Sequence, residues 1–180
     1  MSRPPLFERL QHTLRRAADG PHSQHVPLIA AALTFASTFT MSSPATLVIM
    51  TAVLLARARW RTIVLQSAFA SAVAGTLLFL LFRHLGWEQL QLQFPEMQAS
   101  AHWQCAVEWT ATWGVPALCV MAALPLPQSP AIILLAIGDH GWAAVLLAIF
   151  AGKIIKYGVV AWVTATFPAR VGTWLAARRL

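Results

Sequence analysis

The chain has 180 residues, 58% hydrophobic and only 11% charged, with a mean hydropathy of +0.62. A soluble domain carries about a quarter charged residues, so little water-facing surface is planned. Thirteen Lys and Arg against six Asp and Glu give a net charge of +7. The basic residues cluster beside apolar runs, a pattern that suits an anionic membrane surface and argues against nucleic acid as a partner, which would want cations interleaved with exposed aromatics on a soluble face.

The first 25 residues are polar and basic, with Leu6, Phe7, Leu10 and Leu14 at helical spacing among Arg9, Arg15 and Arg16. They read either as a short amphipathic helix on the membrane surface or as a frayed tail. A signal peptide is disfavoured, because Pro21 to Ala56 contains no Asp, Glu, Lys or Arg, far longer than an h-region of about 7–15 residues.

Four apolar segments follow: Val26 to Ala56, Thr62 to Phe82, Trp109 to Gly138, and Gly141 to Val163. The second and fourth have ordinary spanning lengths. The first and third are too long for one comfortable span and too short for two. Pro44 interrupts the first, and Pro125, Pro127 and Pro130 interrupt the third; a proline inside a helix removes a donor and clashes with the preceding turn. Each of these segments is therefore expected to be a re-entrant hairpin of two short helices.

Charge distribution supports that plan. If the first segment crossed outright, Arg57, Arg59 and Arg61 would lie opposite Arg3, Arg9, Arg15 and Arg16, against the positive-inside tendency. A hairpin that enters and returns puts both clusters in the cytoplasm. Thr62 to Phe82 then crosses outward to an acidic linker over 84–108, with Glu88, Glu96 and Glu108 and only Arg83 nearby. The second hairpin enters from outside, and Gly141 to Val163 crosses back to Arg170, Arg178 and Arg179 in a basic tail over 169–180. Both termini are cytoplasmic on this reading.

An internal repeat agrees. Ser43-Pro44-Ala45 recurs as Ser129-Pro130-Ala131, each followed by an aliphatic run, a polar break, a tryptophan (Trp60, Trp142) and a spanning helix. An odd number of crossings between the copies makes the repeat inverted, as in many secondary transporters. The expected fold is thus all-α and polytopic, an inverted repeat of re-entrant helical hairpin plus transmembrane helix, with repeat one over 26–83 and repeat two over 109–168.

The second repeat carries a resemblance to a known family. Trp113-Gly114-Val115-Pro116, Leu124-Pro125-Leu126-Pro127-Gln128-Ser129-Pro130 and Ala151-Gly152-Lys153-Ile154-Ile155-Lys156-Tyr157-Gly158 resemble the DedA family, membrane proteins with the VTT or SNARE-associated domain, and in particular its small YqaA-type branch. The similarity covers roughly residues 39–168, more loosely in the first repeat. It implies two re-entrant hairpins facing each other across a bacterial inner membrane and a role in moving or scrambling lipids, polyprenyl phosphates among them, in envelope maintenance. Other branches carry an acidic residue in the first hairpin and arginines around a proline-glycine break in the second. Here those breaks read Met41-Ser42-Ser43-Pro44 and Leu124 to Pro130, so proton coupling through such groups does not carry over.

Candidate site residues follow from cost. Lys153 and Lys156 lie three apart on one face of the last span, and a lysine at mid-span costs about 2.5–3.5 kcal/mol on insertion scales, so it usually faces a cavity or partner. No acidic side chain lies within an apolar segment except Asp139 at a boundary, leaving the ligand to supply the counter-ion. Alternatively Lys156 snorkels, and Lys153 binds hairpin carbonyls. Ser43 and Ser129 stand where the returning half-helices should be capped, each before a proline. Such helix starts attract anions, and Ser42, Gln128 and Tyr157 add hydrogen-bonding groups; otherwise the serines only satisfy broken backbone. His22 with His25 and His102 with Cys105 have metal-compatible spacings on opposite sides of the membrane, so no metal is expected. Asp139-His140 is a proton access point or, more simply, a turn cap. No cofactor and no enzyme are expected, since no Ser/His/Asp set stands out and Gly152-Lys153 lacks a nucleotide-binding loop. Membrane lipids, in particular an anionic phospholipid or polyprenyl phosphate, are the expected partners, and an oligomer is compatible with the plan. The functional expectation is a flippase-like lipid transporter; the alternative is a non-transporting scaffold for envelope proteins.

Overall fold

The computed structural model describes residues 25–40, 45–93, 101–124, 128–138 and 140–168. These residues are helical or form short joints between helices, with no strand among them. In chain order the helices are α1 (Val26–Phe39), α2 (Ala45–Leu55), a 3-10 turn (Arg57–Arg59), α3 (Trp60–Gln93), α4 (Ala101–Trp113), α5 (Val115–Ala123), α6 (Ser129–Ile137) and α7 (Trp142–Thr166). Two stretches, Arg57–Leu85 and Trp142–Thr166, are long and apolar enough to cross a membrane, each with a mean hydropathy of 1.9.

The short helices come from the two proline-interrupted segments. Helix is absent at Thr40 and resumes at Ala45, and it ends at Ala123 and resumes at Ser129. Prolines sit in the first turns of α1, α5 and α6, where a missing N–H removes nothing the helix would use. Helices α2, α5 and α6 are apolar on nearly every side, the pattern of a segment enclosed by protein or lipid.

One element differs from expectation in length. α3 continues past Phe82 to Gln93, and α4 begins at Ala101, so the stretch over 84–108 expected as an acidic linker is helical at both ends. Trp87-Glu88-Gln89-Leu90-Gln91-Leu92-Gln93 contains neither Gly nor Pro and is rich in good helix formers, so propensity continues the helix after hydrophobicity has lapsed. A second difference is a break within the third apolar segment. Gly114 adopts φ 57° and ψ −130°, a conformation open to glycine and strained for other residues, and it separates α4 from α5.

The chain divides into two compact units. Among the described residues, the first holds α1, α2, the 57–59 turn, α3 to Ala70, and α7 from Tyr157; the second runs from Ser71 to Lys156. In the first unit α1 packs on α2. On α1 the buried residues Val26, Ala30, Thr34 and Thr38 recur every four positions, with Pro27 and Ala31 buried beside them, as one helix face must. The Thr34 hydroxyl donates to Ala31 O at 2.9 Å and lies 3.4 Å from Ser67 O of α3. The Arg57 guanidinium donates to Ala165 O near the end of α7, where helix carbonyls lack intrahelical donors.

In the second unit α4 packs on both α5 and α6. The core joins Phe79 and Phe82 of α3, Trp103 of α4, Leu118 and Met121 of α5, Ile132 and Leu135 of α6, and Val145 and Ile149 of α7. Six threonines across both units answer their own polar needs, whereas the buried Thr110 hydroxyl has no partner among the described residues. Thr40, Thr51, Thr76, Thr112, Thr164 and Thr166 each donate a hydroxyl hydrogen bond of 2.7–2.9 Å to the carbonyl four residues back.

Candidate substrate site at the lysines of the last long helix

Helix α7 is apolar apart from two lysines and a few hydroxyl groups. Lys153 lies eleven residues from its first residue, about 17 Å along the axis, and is only 7% exposed. Its burial has a local cause at Gly152. A β-carbon there would press on Cys119 O, come within 2.7 Å of Ala122 Cβ and lie 3.1 Å from Ala123 N. The missing side chain lets the backbone of α7 approach the last turn of α5, and Lys153 follows immediately.

Lys156, half-buried, donates from Nζ to Leu124 O at 2.9 Å. Leu124 is the C-cap of α5, its own N–H bonded to Val120 O at 3.0 Å. A carbonyl at that position has no intrahelical donor and carries the negative end of the helix dipole, so an ammonium is its natural partner. Lys156 thus captures the carbonyl at the end of a hairpin helix.

The start of α6 differs from expectation. Its N-cap is Gln128, with φ −84° and ψ −11° and no side-chain capping bond, so Ser129 is the first helical residue and not the cap. Gln128 already has helical backbone angles, and its carbonyl accepts from Ile132 N at 3.1 Å, which moves the helix boundary one residue upstream. Pro130 is then the second helical residue, and it is buried. The Gln128 Oε1 atom is buried with no hydrogen-bond partner, an acceptor in want of a donor.

Tyr157 is fully buried and belongs with the first unit, whereas Lys153, Lys156, Gln128 and Ser129 belong with the second. The expected site residues Ser42 and Ser43, the expected breaks Pro44, Pro125 and Pro127, and Asp139 lie outside the described residues. Among the described residues no three His, Cys, Asp or Glu come together as a metal site.

Two contacts were not anticipated from the sequence. The Arg83 guanidinium donates to His140 O at 3.1 Å, joining α3 to the corner before α7. The His140 N–H bonds Gly138 O at 2.9 Å, and its Nδ1 is buried with no partner. Nothing in residue spacing pairs positions 83 and 140. The close approach at Gly152 did have a signal, a glycine in an otherwise bulky apolar helix, although glycine in a helix does not announce its neighbour.

Comparison with protein-family models, curated proteins and solved structures finds no match for this chain.

Proposed function

We propose that this protein is a polytopic transporter of the bacterial inner membrane, DedA-like in plan, that moves a phosphate-bearing lipid or similar amphiphile between leaflets as a flippase or scramblase in support of envelope homeostasis. The observation that carries the reading is Lys153: a cationic side chain 7% exposed near the middle of a helix long and apolar enough to span. An ionisable group at that depth is costly, and such residues line substrate or ion pathways. An anionic headgroup is the ligand class that a buried ammonium attracts.

Helix lengths support the re-entrant part of the proposal. With 14 and 11 residues, α1 and α2 reach about 21 and 17 Å, and with 9 residues each α5 and α6 reach about 14 Å, all short of the roughly 30 Å of hydrocarbon. Lys156 lies about 21 Å along α7 from Trp142, and its bond to Leu124 O joins the end of α5 to the interior of α7, as the tip of a hairpin that enters and returns requires. The bond from Arg57 to Ala165 O joins the 57–61 arginines to the end of α7, in keeping with both basic regions facing the cytoplasm. The DedA-like plan itself rests on the resemblance that residues 113–130 and 151–158 carry in the sequence.

The test is a proteoliposome assay following fluorescent phospholipid and polyprenyl phosphate across the bilayer. The wild type is expected to move at least one of them, and Lys153→Ala to abolish movement with little loss of folded protein. A scaffold with no transport activity would tolerate Lys153→Met. Absence of movement of both probes, with and without a pH gradient, overturns the proposal.

A further inference from the structure

The arginines at the 57–59 turn and the start of α3 do two different jobs. Arg57 is engaged at Ala165 O. Arg59 and Arg61 are exposed, and the described residues of the first unit contain no Asp or Glu. Arg61 stacks over Trp60, its Cζ 5.4 Å from the ring centroid, which holds the guanidinium beside an aromatic of the kind that sits at membrane interfaces. Directly along the same face of α3, at four-residue spacing, Leu65 and Phe69 are 53% and 56% exposed. A cation thus stands at the head of an exposed apolar strip about 12 Å long. Trp162, 56% exposed, lies within a turn of Ala165.

We infer that the Arg59–Arg61 turn and the adjoining face of α3 bind an anionic phospholipid, its phosphate at Arg59 and Arg61 and its acyl chain along Leu65 and Phe69. The charge selects a phosphate, and the apolar strip selects a lipid over a soluble anion, which would gain nothing from Leu65 or Phe69. The inference rests on the membrane reading above, but it concerns a surface separate from Lys153.

The experiment is thermal unfolding of the full chain in detergent, titrated with phosphatidylglycerol, phosphatidylcholine or inorganic phosphate. Phosphatidylglycerol is expected to raise the unfolding midpoint, and the other two to leave it unchanged. Each cation near an anionic surface contributes about a fivefold gain in affinity, so the double substitution Arg59→Gln with Arg61→Gln should weaken the phosphatidylglycerol response about 30-fold. Should the double variant not fold, each single variant gives the fivefold step. Added salt weakens the wild-type response. Equal stabilisation by phosphatidylcholine or by phosphate, or variants that respond like wild type, overturns the inference. Lys153→Ala should keep the phosphatidylglycerol response, so failure of this surface and failure of transport are separate results.

Discussion

The two lysines of α7 look equivalent on paper, three residues apart on one apolar helix, and the structure divides them. Lys156 holds the carbonyl end of α5, a structural task, so Lys156→Met should lower stability by about 1.5–3 kcal/mol, the worth of a hydrogen bond to a charged group, measured as a fall in the unfolding midpoint. Lys156→Arg should recover part of that loss. Two glycines of the same helix divide in the same way. Gly152 faces the backbone of α5 at a distance that leaves no room for a β-carbon, whereas a β-carbon at Gly158 would meet nothing within 4 Å. Gly152→Val should therefore cost about 1–3 kcal/mol through overpacking, and Gly158→Ala should stabilise by about 0.5–1 kcal/mol through helix propensity. Parallel melting curves of the two variants check the contrast. Neither distinction can be read from the sequence, because each depends on which neighbour the fold brings alongside.

At the scale of elements, local chemistry carried most of the information. Proline and glycine act on their own turn of chain, and the helix ends at Phe39 and Ala123 and the restarts at Ala45 and Ser129 fall around the prolines that predict them. The boundary of α6 lies one residue upstream of the expected one: a serine before a proline looks like a cap, whereas Gln128 already has helical angles. The extension of α3 to Gln93 does not show in hydropathy, which lapses after Phe82, but Glu and Gln are also good helix formers. Gly114 makes a turn that spacing alone does not reveal, although the following Pro116 marks a helix start. Gly114→Ala should cost about 1–3 kcal/mol, since φ 57° with ψ −130° is strained for a residue with a β-carbon; the drop in midpoint of a purified variant measures it.

Across the whole molecule, charge is sorted. In the second unit the basic residues are only Arg83, Lys153 and Lys156, and the described part of the first unit has no acidic residue at all. This sorting was legible in the sequence, because the positive-inside tendency depends only on where arginines fall along the chain. The proposed crossing of α3 has a direct test: single cysteines at Thr62 and Gln91, about 44 Å apart along the helix, should label from opposite faces of an intact membrane. Labelling of both from one face would contradict the proposed topology. The candidate site was less legible than the fold, since Lys153 stands out by cost alone whereas its surroundings depend on tertiary packing.

A last consequence comes from the threonines that bond their own helices. Each hydroxyl hydrogen is already spent along its own rod. In the proposed transporter, lipid tails beside these faces would find no donor to bind, and a directional grip on a headgroup would have to come from other polar groups.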